Sequence, residues 1–291
     1  MRILMTGNTG FVGSNVLPIM KKNGELEIYT PTRTELNLKD EIRVVEYLKT
    51  GKFDVILHFA NPTPAKNIID SENKMLEDSM RIFLNLYNHR DLFGKMLYTG
   101  SGAEYDKTLD IDLVREEDCY RSVPKDQYGF AKMMMNHLAE NSDNVFNFRL
   151  FGCYGPGDHE SKFITHCIRS VLLDRDISIR KDCEFDYIHV FDFARYIKWG
   201  IEKDLRYHSY NVSSGDPVLL SDIANKVLVL MGSDRKIRFL SGDYNRNYTA
   251  CNERIMKESE LDLEYTLERG IRLQIEWEKN NWGDDTKFDG E

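Results

Sequence analysis

The chain has 291 residues, 41% of them hydrophobic and 11% aromatic, enough to bury one large α/β core or a nucleotide domain with a smaller partner. A formal net charge of −9 argues against nucleic acid or an anionic membrane as the main partner, although a local basic pocket can still hold a small anion. Five scattered cysteines without a CxxC pair form neither a disulfide framework nor a zinc site, and no segment approaches a membrane span, so a cytoplasmic protein in a reducing compartment, with no bound metal, is expected.

Ile3–Thr6 reads as a first strand, its apolar run too short for a signal-peptide core, and a helix follows at 11–23. Between them stands Gly7-Asn8-Thr9-Gly10-Phe11-Val12-Gly13. In a strand-to-helix turn the first glycine permits the tight turn and the second lets backbone N–H groups approach a pyrophosphate. The third lets the helix pack on the strand. Gly7, Thr9, Gly10, Phe11, Val12 and Gly13 are therefore candidate cofactor contacts.

The second strand, Leu26–Thr30, ends without the carboxylate that would hold the ribose 2′-hydroxyl of NAD. Arg33 follows instead, and a guanidinium can pair bidentately with a 2′-phosphate. NADP is favoured, with Arg33 and Asn37 as contacts; NAD stays open because Glu35 is close by.

A helix at 39–50, a strand at Asp54–Phe59, a helix at 71–90 and a strand at Met96–Thr99 come next. Ser101 then sits between Gly100 and Gly102. A helix at 125–141 carries Tyr128 and Lys132 at i and i+4, on one face. A phenol ionises near pH 10, so an adjacent ammonium, helped by the oxidised nicotinamide, is expected to bring Tyr128 toward working pH as a proton donor-acceptor. The strand Val145–Leu150 completes a strand–helix alternation that predicts a Rossmann-like, doubly wound parallel sheet.

After Gly152-Cys153-Tyr154-Gly155-Pro156-Gly157 the pattern loosens. It reads as a helix near 162–173, a strand at Asp186–Val190, a helix at 191–203, a strand at Tyr210–Val212, and helices near 220–231 and 265–280. The tail 284–291 is expected to fray. His58 reads as a core histidine, and Met133-Met134-Met135 with His137 as packing residues. Nothing fixes a role for His159 or His166.

Together, the Gly7–Gly13 turn, Ser101 and Tyr128-Gly129-Phe130-Ala131-Lys132 resemble the extended short-chain dehydrogenase/reductase family, in its sugar-nucleotide epimerase, dehydratase and ketoreductase group. The resemblance runs nearly the whole length. It extends to Leu57-His58-Phe59-Ala60-Asn61, Tyr154-Gly155-Pro156-Gly157-Asp158, Asp186-Tyr187-Ile188-His189-Val190-Phe191-Asp192 and Tyr210-Asn211-Val212-Ser213-Ser214-Gly215. It implies a catalytic set of Ser101, Tyr128 and Lys132, with Lys132 also holding the nicotinamide ribose and Phe59, Ala60 and Asn61 lining the cofactor. It further implies hydride transfer between a sugar carbon and the nicotinamide, and a homodimer through the helices near 71–90 and 125–141. Residues 1–155, with returns near 186–212, would form the NAD(P)-binding domain; 156–185 and 213–283 would form a smaller α/β substrate-binding region.

The resemblance also narrows the reaction. Dehydratases of the family carry Asp-Glu directly after the catalytic Ser/Thr, where this chain has Gly102-Ala103. GDP-fucose synthases, whose second strand is followed by a run like Arg33-Thr34-Glu35-Leu36-Asn37-Leu38, epimerise with a cysteine at the place of Ala103. Simple hydride chemistry survives, as reduction of a 4-keto nucleotide sugar or as 4-epimerisation with tightly bound NAD. Arg33, and a likeness of Tyr154–Asp158 with Lys162-Phe163 to CDP-abequose synthases, tilt toward the reductase. Two departures stand out: Gly152 replaces an Asn and Phe185 an Arg, both of which contact the substrate diphosphate in the family. Arg180, Lys181 or Lys162 would have to hold it instead, or the substrate is an aldehyde or ketone without a nucleotide. A non-catalytic NADP-binding sensor or scaffold is the rival from another class. Glu104, at a place usually apolar in the family, is open between a solvated charge and a substrate contact.

Overall fold

The computed structural model describes residues 1–22, 24, 26–62 and 74–282. The first half runs β1 (Arg2–Thr6), α1 (Phe11–Lys21), β2 (Glu27–Tyr29), α2 (Glu41–Gly51), β3 (Val55–His58), α3 (Met75–Tyr87), β4 (Lys95–Ser101), β5 (Ile111–Val114), α4 (Gln127–Glu140) and β6 (Val145–Leu150). Next come β7 (Gly152–Tyr154), α5 (Phe163–Leu172), β8 (Ile177–Ile179), β9 (Glu184–Phe185), β10 (Tyr187–His189), α6 (Val190–Glu202) and β11 (Ser209–Val212). The last elements are β12 (Val218–Leu219), α7 (Leu220–Met231), β13 (Ile237–Phe239), β14 (Tyr248–Ala250), α8 (Glu253–Ser259) and α9 (Leu267–Asn281).

Six strands form one parallel sheet in the order β11-β6-β4-β3-β1-β2. Strand side chains alternate between faces, and here both faces are apolar. Ile3, Met5, Val55 and Leu57 point into a core with Val16 of α1 and Phe193 and Ile197 of α6. Leu4 and Ile56, their neighbours in sequence, enter the opposite core with Val44 of α2, Phe83 of α3 and Ala131 and Met135 of α4. Each such fully buried aliphatic side chain contributes roughly 1.5–3 kcal/mol. This is the doubly wound arrangement read from the sequence.

The helices begin where local chemistry lets them. Asp40 accepts the Arg43 N–H and starts α2, while Asp126 accepts the Gly129 N–H at 2.9 Å and starts α4. That second cap places Tyr128 in the first turn of α4.

The second half departs from the sequence reading in detail. The strand expected at 186–190 is β10, which pairs with β7 rather than with the main sheet; β11 alone returns to it. A four-stranded sheet, β12-β9-β14-β5, draws together pieces from residues 111 to 250 that carry no periodicity of their own. Strands of two to four residues carry little alternation, and β5, β7, β8, β9, β12, β13 and β14, with the short α8, were not among the expected elements. Residues 71–73 of the expected third helix, and the tail 284–291, lie outside the described residues. Among the described residues no helix is long and apolar enough to cross a membrane.

Candidate active site

β1 delivers the glycine turn to the C-terminal edge of the sheet, where parallel α/β folds bind ligands. Gly7 adopts φ +73, and a Cβ there would stand 2.5 Å from the Ala60 backbone nitrogen. A Cβ on Gly13 would stand 2.2 Å from the Gly7 carbonyl oxygen. These two positions thus require glycine. Gly10 caps α1 without a side-chain bond, and the first turn carries no acidic residue. The α1 N-terminus, with Thr9, Gly10, Phe11 and Val12 around it, is a cradle of backbone donors that fits a pyrophosphate. Phe59 and Ala60 lie beside it at the end of β3, where the Ala60 N–H reaches the Thr6 hydroxyl at 3.4 Å. The Asn61 side-chain oxygen is buried without a donor among the described residues, an acceptor that a ribose hydroxyl would satisfy.

Beyond β2 the Glu35 carboxylate accepts both the N–H (2.7 Å) and the hydroxyl (2.8 Å) of Thr32. It is engaged locally, and those bonds hold its pKa down. Arg33 is exposed and makes no ion pair among the described residues, and Asn37 is exposed beside it. The residues present fit a nicotinamide dinucleotide.

Ser101 is the last residue of β4, and Tyr128 and Lys132 come from α4. A Cβ on Gly129 would stand 2.4 Å from the Ala103 carbonyl oxygen, so this glycine lets α4 close onto the turn after Ser101. The Ser101 hydroxyl accepts the Ala103 N–H at 3.2 Å. Lys132 is buried, donates to the Thr99 carbonyl at 2.7 Å, and lies 6.0 Å from the Tyr128 ring. The three predicted catalytic residues converge.

Their electrostatics correct one expectation. Tyr128 is pushed up to about 12 by burial, with the neighbouring Ser101 hydroxyl opposing, rather than drawn down toward neutrality. Lys132 is itself pulled down to about 8 by burial, with Glu104 opposing. At neutral pH Tyr128 is therefore a protonated phenol, the form that donates a proton.

Glu104, left open by the sequence, is neither solvated nor free for substrate. It is fully buried and forms a 2.6 Å ion pair with Nε of fully buried Arg149. Its carboxylate also accepts the Ser101 N–H at 3.0 Å and the Asn147 amide at 3.0 and 3.1 Å. Arg149 continues to Tyr105 and Asn211 at 3.1 and 2.9 Å. No motif marked this network; the nearest signal was a carboxylate at a usually apolar position.

Both glycines around Ser101 are matters of space, since neither has a positive φ. A Cβ on Gly100 would stand 2.0 Å from Asn147 Oδ1 and 2.3 Å from Glu104 Oε1. A Cβ on Gly102 would stand 2.4 Å from the hydroxyl of Tyr248, a residue the sequence reading did not single out.

The surroundings of Tyr248 are aromatic. The Tyr248 ring lies 5.1 Å from Phe151 and 5.0 Å from Phe185. Phe185 also lines a cavity of about 550 Å³ with Phe163, Ile179, Arg180, Lys181 and Leu220. Gly152 has no room for a side chain, its Cβ falling 2.6 Å from the Asp186 carbonyl oxygen, so an Asn cannot stand there in this packing. Lys181 pairs with Asp243 at 3.3 Å, and Arg180 makes no ion pair among the described residues. His58 is a buried core residue bonded to Thr6 at 2.8 Å, whereas His159 and His166 contact Ser161 and Ser178 and do not join the trio.

Residues 3–213 match the model of the NAD dependent epimerase/dehydratase family. A GDP-L-fucose synthase of Azorhizobium caulinodans is 25% identical over 305 residues, covering 95% of this chain and 96% of that protein. Among solved structures, a GDP-6-OMe-4-keto-L-xylo-heptose reductase from C. jejuni superposes with a TM-score of 0.82 at 16% identity, covering 96% and 98% of the two chains. A dTDP-glucose 4,6-dehydratase from Bacillus anthracis, in complex with NAD, gives 0.80 at 18% identity, with 97% of each covered. At such identities the structural likeness establishes the fold alone.

Proposed function

The chain belongs to the NAD dependent epimerase/dehydratase family, and from that premise we propose that it reduces a 4-keto nucleotide sugar with NADPH. One observation carries the reading: Ser101, Tyr128 and Lys132 meet at the sheet edge while Gly102 and Ala103 put no acid or base behind the serine. Dehydration and epimerisation at a carbon next to the carbonyl both need such a group; carbonyl reduction needs one proton donor. The bound nicotinamide would supply the hydride.

The chain's own residues do the rest. Gly7, Thr9, Gly10, Phe11, Val12 and Gly13 hold the pyrophosphate, Arg33 and Asn37 the 2′-phosphate end, and Phe59, Ala60 and Asn61 line the cofactor. Lys132 holds the ribose beside Tyr128. Ser101 positions the substrate carbonyl oxygen, and Tyr128, protonated at neutral pH, delivers the proton to it. Arg180 and Lys181, which line the cavity beside Phe185, take the role of diphosphate cations that Gly152 and Phe185 cannot fill. The relatives named above act on GDP- and dTDP-linked sugars, which supports a nucleotide sugar as substrate.

The test is NADPH oxidation with GDP- and dTDP-linked 4-keto-6-deoxyhexoses, in wild type and Tyr128→Phe. Turnover by wild type and its loss in the variant are expected. Equal turnover in both, or interconversion of 4-epimers without net NADPH consumption, would overturn the reading.

A further inference from the structure

β3 ends at His58, opposite Tyr98, so residues 99–101 of β4 run on with β6 as their ladder neighbour. Side chains take backbone groups there. Lys132 donates to the Thr99 carbonyl at 2.7 Å, and the Ser101 N–H donates to Glu104 Oε1 at 3.0 Å. The Ser101 hydroxyl oxygen in turn accepts the Ala103 N–H at 3.2 Å. These last two bonds form a capping box around the single turn 102–104. One of them holds the main chain of the serine and the other its hydroxyl oxygen.

A turn of three residues has little hold on its own shape. Its closing bond, from the Tyr105 N–H to the Gly102 carbonyl at 3.2 Å, lies at the far end from the serine. Glu104 supplies the anchorage from outside. Fully buried, its carboxylate is held at 2.6 Å by Arg149 and at 3.0 and 3.1 Å by Asn147, both on β6. β6 is the strand that pairs with β4, and Arg149 stands opposite Gly100. A carboxylate is also a stronger acceptor for the Ser101 N–H than a neutral group. Gly100 admits it, because a Cβ there would stand 2.3 Å from Glu104 Oε1.

We propose that Glu104 is a positioning residue for the reduction: its carboxylate, held to β6 by Arg149 and Asn147, fixes the backbone of Ser101 and with it the hydroxyl that meets the substrate carbonyl oxygen. The inference rests on the function proposed above. Gly100 belongs to the same device, because any side chain at 100 pushes the carboxylate aside.

The test compares two double variants that both remove the buried charges. Glu104→Gln with Arg149→Met keeps an oxygen for the Ser101 N–H; Glu104→Val with Arg149→Met removes it. With NADPH and the GDP- and dTDP-linked 4-keto-6-deoxyhexoses, kcat is expected to be roughly 10- to 100-fold lower in the Val form than in the Gln form, while KM and the NADPH Kd stay within about twofold. Adding Ser101→Ala should cost far less in the Val form, because the serine has already lost its position. Equal kcat in the two forms, or equal costs of Ser101→Ala, overturns the proposal. Gly100→Ala moves the carboxylate and leaves both charges in place, so it serves if the Val form does not fold; a wild-type kcat in it overturns the proposal as well. If wild type reduces neither ketone, the reading of function is what fails, and the tether is read by amide hydrogen exchange. The Ser101 N–H should exchange roughly 10-fold faster or more in the Val form than in the Gln form, while Leu97 and Tyr98 of the same strand keep their protection. Equal exchange at Ser101 overturns the proposal on that arm too.

Discussion

Glu104 and Arg149 meet at 2.6 Å with both side chains fully buried, directly beneath the backbone of Ser101. Such a pair is costly to break from one side, because the survivor is an uncompensated charge in a dry interior. Glu104→Ala is expected to lose about 3–5 kcal/mol of unfolding free energy. Replacing both partners by apolar residues, as in Glu104→Val with Arg149→Met, should recover much of that loss. Denaturant unfolding of the three proteins measures the difference.

Gly129 sets the distance between the proton donor and the serine. With a Cβ 2.4 Å from the Ala103 carbonyl, Gly129→Ala must push the first turn of α4 away from β4. A displacement of an ångström at the reacting groups costs on the order of 100-fold in rate. The expected signature is a kcat loss of that size with NADPH affinity unchanged, since the α1 cradle lies elsewhere.

Lys132 carries its charge only below about pH 8, because burial disfavours the ammonium. The profile of kcat/KM against pH, which reports groups in the free enzyme, should therefore fall on the alkaline side with a limb near 8. Lys132→Met should remove the limb along with most of the rate. A profile flat to pH 10 in wild type contradicts this assignment.

Asp158 predicts a pH dependence of stability. Burial lifts its carboxyl to about 7 from the usual 3.8, with Lys162 opposing. Between those values the folded state holds the proton more tightly than the unfolded chain, so stability falls as pH rises through the window. Asp158→Asn removes that loss. Its Tm should exceed the wild-type value above pH 7, and the gain should vanish near pH 4.

Arg33 tests the cofactor proposal. NADPH should bind more tightly than NADH, and Arg33→Ala should erase the difference by weakening NADPH alone, most visibly at low salt. Fluorescence titration with both cofactors reads it directly. Tighter NADH binding by wild type would reverse the reading of the β2 end.

The parallel sheet and the five helices that flank it, α1, α2, α3, α4 and α6, were legible because each rests on local signals: continuous apolar strands and helix-period stripes. The glycine turn was legible for the same reason, since its residues are neighbours in sequence and the constraint at Gly13 is local to the turn, whereas the backbone of Ala60 that crowds Gly7 arrives from the end of β3. The trio was visible as a motif, but the motif implied a lowered phenol, and burial pushes Tyr128 up to about 12 instead. Desolvation is a property of the assembled site and leaves no mark in a pattern of letters.

The glycines around Ser101 divide the two kinds of knowledge. By itself the sequence determined that no acid or base follows the serine, because that is a matter of which side chains exist. Only the tertiary structure decided why glycine stands there. Gly100 makes room for Asn147 and the Glu104 carboxylate, and Gly102 for the Tyr248 hydroxyl arriving from far along the chain. Space between residues distant in sequence is set by how the layers pack.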